Sequence, residues 1–176
     1  MSLLTSGIAL ENATGVVATN YAAAQEIVGF VPSLCEFMSI NPDIQTAHMG
    51  YIKTIISHPT LTGKFFSMIR LVVSSNGDCD YCVDFNEAML MNSFGISADE
   101  IKDIKVSPSL VKSLDEKEKA LFLFVLKGVK DSHSTSAEDI QKLKNLGASE
   151  IEIYDSLNHG AHMVATDILI NAFKIA

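Results

Sequence analysis

A chain of 176 residues with 13 Lys+Arg against 21 Asp+Glu carries a formal charge of -8, and it is 48% hydrophobic and 19% charged. Folding at this length buries roughly 70% of the chain surface, enough for one core without staples, so a single domain over residues 1–176 is expected. The acidic balance and the lack of a Lys/Arg cluster argue against a phosphate-binding face, and no nucleic-acid partner is expected. The first basic residue is Lys53, which speaks against a secretory signal. The longest apolar stretches, around Ala120–Leu126 and around Ile69–Val73 with Arg70 inside it, fall far short of the ~20 residues that span a bilayer. Three cysteines do not make a disulfide framework. The expectation is a soluble, cytoplasmic protein.

Helix signals then follow in chain order. Apolar periodicity and punctuation predict helices over 8–29, 43–57, 62–75, 79–94, 97–104, 114–130, 136–145 and 149–174, and the fold class is all-α, a bundle of about seven to eight helices. Pro42 behind Asn41 reads as a first-turn proline after a cap. Ser97-Ala-Asp-Glu100, Ser113-Leu-Asp-Glu116, Thr135-Ser-Ala-Glu138 and Ser149-Glu-Ile-Glu152 each fit a capping box. Gly95 and Gly147 stand where a left-handed stop is wanted. Leu121, Phe124, Val125 and Gly128 recur at helical spacing, as do Ile151, Tyr154, Asp155 and Asn158 on the last helix, whose later positions Met163, Ile168, Ile170 and Phe173 read as buried. Met89, Leu90, Met91 and Phe94 wrap an apolar run around their helix, which suggests burial in a core or against another copy of the chain.

Cys79-Asp80-Tyr81-Cys82 is the sharpest chemical signal. With Asp78 as a helix cap, the two cysteines lie one turn apart on one face, within disulfide reach. The helix N-terminus favours a thiolate there, whereas Asp78, Asp80 and Asp84 oppose a further negative charge. Three readings are open: a redox dithiol, a pair of small core residues, or half of a zinc site completed by His159 and His162, which share a helix face. Tyr81 could donate to a thiolate or leaving alkoxide, or simply pack. His48, His58 and His133 read as surface or loop residues, and Cys35 as core. There is no G-x-G-x-x-G and no P-loop, so no flavin or nucleotide cofactor and no metal is expected; the redox centre would be the Cys79–Cys82 dithiol itself.

Leu71-Val-Val-Ser74, Asn76-Gly77, Cys79-Asp-Tyr81-Cys82-Val83 and Gly95-Ile-Ser-Ala-Asp-Glu100-Ile101 resemble the carboxymuconolactone decarboxylase family, in its alkylhydroperoxidase AhpD-like branch. The likeness extends through Glu118-Lys-Ala-Leu121, Ala137-Glu-Asp-Ile140 and Leu143 to Glu150, and back to Val31-Pro32-Ser-Leu34. It implies an all-α fold with a helical-hairpin core, assembled as a trimer or a hexamer. It also implies that Cys82 attacks a peroxide and Cys79 resolves the sulfenic acid into a disulfide, with an external dithiol as reductant. The family's peroxidases carry a relay Glu and His where this chain has Ser67 and Asn86. Neither side chain can take up a proton at neutral pH, and lost general-base help costs about 10²–10⁴-fold, so a weak peroxidase is expected unless His159 or His162 substitutes.

The leading reading is therefore a thiol oxidoreductase acting on a small hydroperoxide or disulfide. One alternative is a lyase on a small carboxylated lactone, with Arg70, the sole arginine, as its anion contact, although a partly buried structural arginine fits that position equally. Another is a non-catalytic oligomeric binding protein that kept the fold while the relay decayed.

Overall fold

The computed structural model describes residues 2–4 and 7–175, and among these nine α-helices, three short 3-10 turns and no strand are found. The chain forms two compact units, one of residues up to His58 together with the segment from Ile170, the other of Pro59–Leu169. The all-α expectation holds.

The first unit contains α1 (Gly15–Val28), α2 (Ser33–Met38) and α3 (Pro42–Ile56). The helix expected from residue 8 begins only at Gly15, because Thr14 is extended and residues 10–12 close a separate 3-10 turn. Helix α2 was not anticipated; its six residues are too few to show a period. Asn41 caps α3 through its side chain, 3.3 Å from the Ile44 N–H, with Pro42 in the first turn as expected. Val17, Tyr21, Ala24, Cys35 and Met49 form this unit's core. Gln45, fully buried, is satisfied by Asn20 at 2.9 Å and by the Cys35 carbonyl at 2.8 Å, which keeps its polar amide in an apolar setting.

The second unit contains α4 (Gly63–Asn76), α5 (Asp80–Phe94), α6 (Ala98–Val106), α7 (Glu116–Lys130), α8 (Ala137–Asn145) and α9 (Glu150–Phe173) as far as Leu169. Helix α4 is apolar nearly all round and buries Phe65, Phe66, Met68, Ile69, Leu71 and Val72, which makes it the central helix. Ser97 caps α6 but its box stays open, because Glu100 accepts from the Lys112 and Ser113 N–H groups instead, whereas Ser149 and Glu152 form the expected reciprocal box at α9. The other two boxes shift. Asp115, not Ser113, caps α7, and the box at α8 is Ser136 with Asp139. In both places a neighbouring acceptor sits better against the third N–H. Gly95 and Gly147 adopt the left-handed conformation, with φ of 66° and 84°.

Helices α7 and α9 approach closely because each offers a glycine. A Cβ on Gly160 would lie 2.4 Å from Val125, and one on Gly128 would lie 2.9 Å from Leu157. Leu121, Phe124, Val125 and Gly128 are buried as expected. The reading of α9 is corrected: Ile151, Tyr154 and Ile168 are exposed, and the buried stripe runs through Glu152, Ser156, His159, Met163 and Asp167. Met163 and Ile170 are buried as expected, but much of the stripe is polar and apolar residues alone misplace Ile168. On α5 only Cys82, Asn86 and Leu90 are buried, and Met91 and Phe94 face outward.

Candidate functional site

The buried polar stripe of α9 faces α4 and α5, and the candidate site is built where the three helices meet. The backbone turns sharply between α4 and α5. Asp78 takes a φ of 51°, a conformation that aspartate tolerates better than most side chains, and the Cys79 N–H bonds the Ser74 carbonyl at 3.0 Å. Cys79 rather than Asp78 is therefore the cap residue of α5, and Cys82 lies in its first turn. Both cysteines are unbridged and buried, Cys79 completely.

The third member of this cluster is Asp167 of α9. Its carboxylate and the two sulfurs lie within 4.8 Å of one another, all three buried. Ser74 of α4 donates to Asp167 Oδ1 at 2.9 Å. Oδ2 is buried with no hydrogen-bond donor, and the carboxylate as a whole is bonded by Ser74 and the two thiols. Gly77 leaves room for it, since a Cβ there would stand 3.2 Å from Oδ2.

Burial sets the proton affinities. The Cys82 thiol is pushed far up by desolvation first, then by its hydrogen bond with Cys79 and the negative charge of Asp167. Desolvation likewise raises Cys79, against the hydrogen bonds it makes with Cys82. Asp167 is raised by burial and partly relieved by Cys82, Ser74 and Cys79. The competition seen in sequence between helix terminus and acidic neighbours is thus decided by neither. The acid among the causes of the Cys82 shift is Asp167, from α9.

One turn along, the other candidate residues gather around Arg70 of α4. Its Nε donates to Asn86 Oδ1 at 2.7 Å, one terminal nitrogen donates to Ser67 Oγ at 2.6 Å, and the other lies 3.3 Å from His159 Nε2. Ser67, Asn86 and His159 are all buried. Asn86 also donates to the Cys82 carbonyl at 2.8 Å, so its amide braces the backbone of Cys82 instead of meeting the sulfur. His159 is held well below the ordinary histidine range by desolvation, then by the nearby Arg70 and His162. It is neutral, with its ring edge-to-face on Phe66 at 5.0 Å. His162 is half-buried and lowered by desolvation. Neither histidine is part of the close cluster around the sulfurs. Tyr81 stacks on Phe85 at 6.5 Å.

Cys79, Cys82 and Asp167 offer three donor atoms for a cation, one fewer than a closed zinc site uses. The zinc set imagined from sequence, with His159 and His162, is not assembled among the described residues. We read the trio as a dithiol with a buried acid.

The sequence profile of the carboxymuconolactone decarboxylase family matches residues 42–107, which include α4, the C-x-x-C and α5. Over those residues the chain is similar to that family. The fold is AhpD-like. It superposes with a TM-score of 0.83 and 21% identity on a peroxidase-related protein of Ralstonia eutropha described as an alkylhydroperoxidase AhpD core, covering 98% of this chain and 90% of that one. An uncharacterized peroxidase-related protein of Silicibacter gives 0.79 at 21% identity, covering 100% and 94%. A protein of unknown function from Agrobacterium tumefaciens, named as a candidate antioxidant defence protein AhpD, gives 0.64 at 19%, covering 80% and 94%. No curated protein matches the chain.

Ser67 and Asn86, the residues that the resemblance set at relay positions, are both tied to one guanidinium. Arg70 is the partly buried structural arginine that the sequence allowed, and Asp167 is the residue that sequence reasoning missed. A signal existed for Asp167: in α9, polar residues recur at helical spacing through 152, 156, 159 and 167.

Proposed function

We propose that this protein is a C-x-x-C-dependent thiol oxidoreductase that reduces a small hydroperoxide or disulfide and works slowly as a peroxidase. The observation that carries the reading is the hydrogen-bonded, unbridged Cys79–Cys82 pair at the head of α5. In the proposed cycle Cys82 attacks a peroxide oxygen, giving a sulfenic acid and an alcohol. The Cys79 sulfur then displaces water and closes the disulfide, and an external dithiol returns both thiols. The dithiol is the redox centre, with no further cofactor.

Slowness follows from two features. Desolvation holds Cys82 in its unreactive thiol form, and neither relay position carries a base. Arg70, on which the lyase alternative depends, is engaged by Ser67, Asn86 and His159, so it supports the site and does not stand ready as a carboxylate clamp. Exposed Val106, Tyr154, Ile151 and Ile168 support the accompanying proposal of a homo-oligomer.

The test is stoichiometry. Treatment with one equivalent of an alkyl hydroperoxide should lower the thiol count from three to one, with a Cys79–Cys82 disulfide in the peptide map. Retention of all three thiols, or a mixed product involving Cys35, would reject the reading.

A further inference from the structure

The proposed dithiol cycle requires a proton to leave Cys82 and a proton to reach the departing oxygen, yet the relay positions hold Ser67 and Asn86. We propose that Asp167, delivered from α9, is the catalytic proton carrier of the Cys79–Cys82 pair. This rests on the dithiol reading and adds to it the group that makes the chemistry possible.

Four observations converge. Asp167 is 4% exposed, so its carboxylate has been desolvated at a cost that an idle residue would not retain. Ser74, itself fully buried, holds Oδ1 at 2.9 Å and so fixes the plane of the carboxylate. Oδ2 is buried without a donor, and a carboxylate oxygen of Asp167 lies within 4.8 Å of both sulfurs. A Cβ at Gly77 would intrude at 3.2 Å, so glycine keeps that edge open. The titratable groups bearing on Asp167 are Cys79 and Cys82 of α5; Ser74 faces it from α4, and no Lys, Arg or His among the described residues contributes to its shift. Burial raises its proton affinity above that of an ordinary aspartate, which suits a group that must accept and then release a proton.

The balance is complete with this one group. The Asp167 carboxylate takes the Cys82 proton as the sulfur attacks the hydroperoxide. The S–O bond forms, the O–O bond breaks, and the proton now on Asp167 passes to the leaving alkoxide, releasing alcohol. In the resolving step Asp167 takes the Cys79 proton as that sulfur attacks the sulfenic acid, and returns it to the departing hydroxide as water. The carboxylate ends each step as it began.

Asp167→Asn separates this role from an electrostatic one, because the two predict opposite signs. The negative charge of Asp167 raises the Cys82 proton affinity, so neutralising it should make the thiol more acidic. If that charge were its whole effect, the variant would react faster with every electrophile. A proton carrier predicts that thiol loss with an alkyl hydroperoxide slows by about 10²-fold. Alkylation by iodoacetamide, whose leaving iodide needs no proton, stays equal or accelerates. The native hydroperoxide rate should also carry an acid limb, falling as Asp167 protonates, that the variant lacks. Ser74→Ala, which keeps the acid but frees Oδ1, should lose about tenfold and serves if the Asn variant fails to fold.

Equal or faster hydroperoxide reaction in both variants would overturn the assignment while leaving the dithiol reading intact. Native protein whose thiols alkylate but never react with hydroperoxide or with a small disulfide would overturn both.

Discussion

Arg70 allows a quantitative prediction about how this site is held. Replacing it with Met removes two short charge-assisted hydrogen bonds, to Ser67 at 2.6 Å and Asn86 at 2.7 Å, and a longer contact with His159 at 3.3 Å. Each short bond to a charged group contributes about 1.5–3 kcal/mol, and the acceptors left behind are buried. Relief of the half-buried guanidinium's own desolvation offsets part of this. The net loss should be about 3 kcal/mol, a large share of the roughly 5–15 kcal/mol typical of a domain. Urea unfolding followed by far-ultraviolet circular dichroism should show a lower midpoint at unchanged slope, and heating a melting point lower by about 6–12 °C. Arg70→Lys keeps the charge but not the planar fork, so it should recover less than half of the loss. A change within about 0.5 kcal/mol for Arg70→Met would refute the claim that this guanidinium organises the relay positions.

Three further outcomes follow from the same geometry. Gly160→Ala should destabilise the second unit by about 1–3 kcal/mol, because its methyl would press on Val125 at 2.4 Å; a neutral thermal melt would contradict the close α7–α9 approach. Burial would raise the Glu152 carboxyl, but the Lys117 ion pair at 2.6 Å and the Ser149 hydrogen bonds overcome it and bring it down to about 2. The corresponding stability, at most about 3 kcal/mol, is fully present above the unfolded value of 4.5 and lost as pH falls from there toward 2; Glu152→Gln should flatten that part of the acid-unfolding curve. Sedimentation at micromolar concentration should give a mass above that of one chain, and Tyr154→Lys should reduce it, whereas a monomeric native protein would remove the oligomer proposal.

Legibility in the sequence tracked how local each determinant is. Asn41–Pro42, Ser97 and Ser149–Glu152 cap where their spacing said, because a cap is decided within four residues. Asp115 and Ser136 displaced Ser113 and Thr135 because clustered acceptors compete for the same N–H, a choice that local pattern leaves open. Helix α2 was hidden by its length. The C-x-x-C was visible at once, and Ser67 and Asn86 were singled out by the resemblance. What escaped was the partner 93 residues from Ser74, since Asp167 lies on a helix whose buried face is polar and whose exposed face carries Ile151, Tyr154 and Ile168. Hydrophobic periodicity fails where a helix turns its polar side inward, and it turned that side toward the sulfurs.

The central claim is that Cys79 and Cys82 work as a redox dithiol, and the most direct test is stopped-flow thiol loss with an alkyl hydroperoxide in native protein and Cys82→Ser. The account predicts slow, first-order loss of two thiols that ends in a Cys79–Cys82 disulfide, disappears in Cys82→Ser and reverses on adding a dithiol. Loss that persists at the same rate in Cys82→Ser, or thiols that stay reduced throughout, would contradict it.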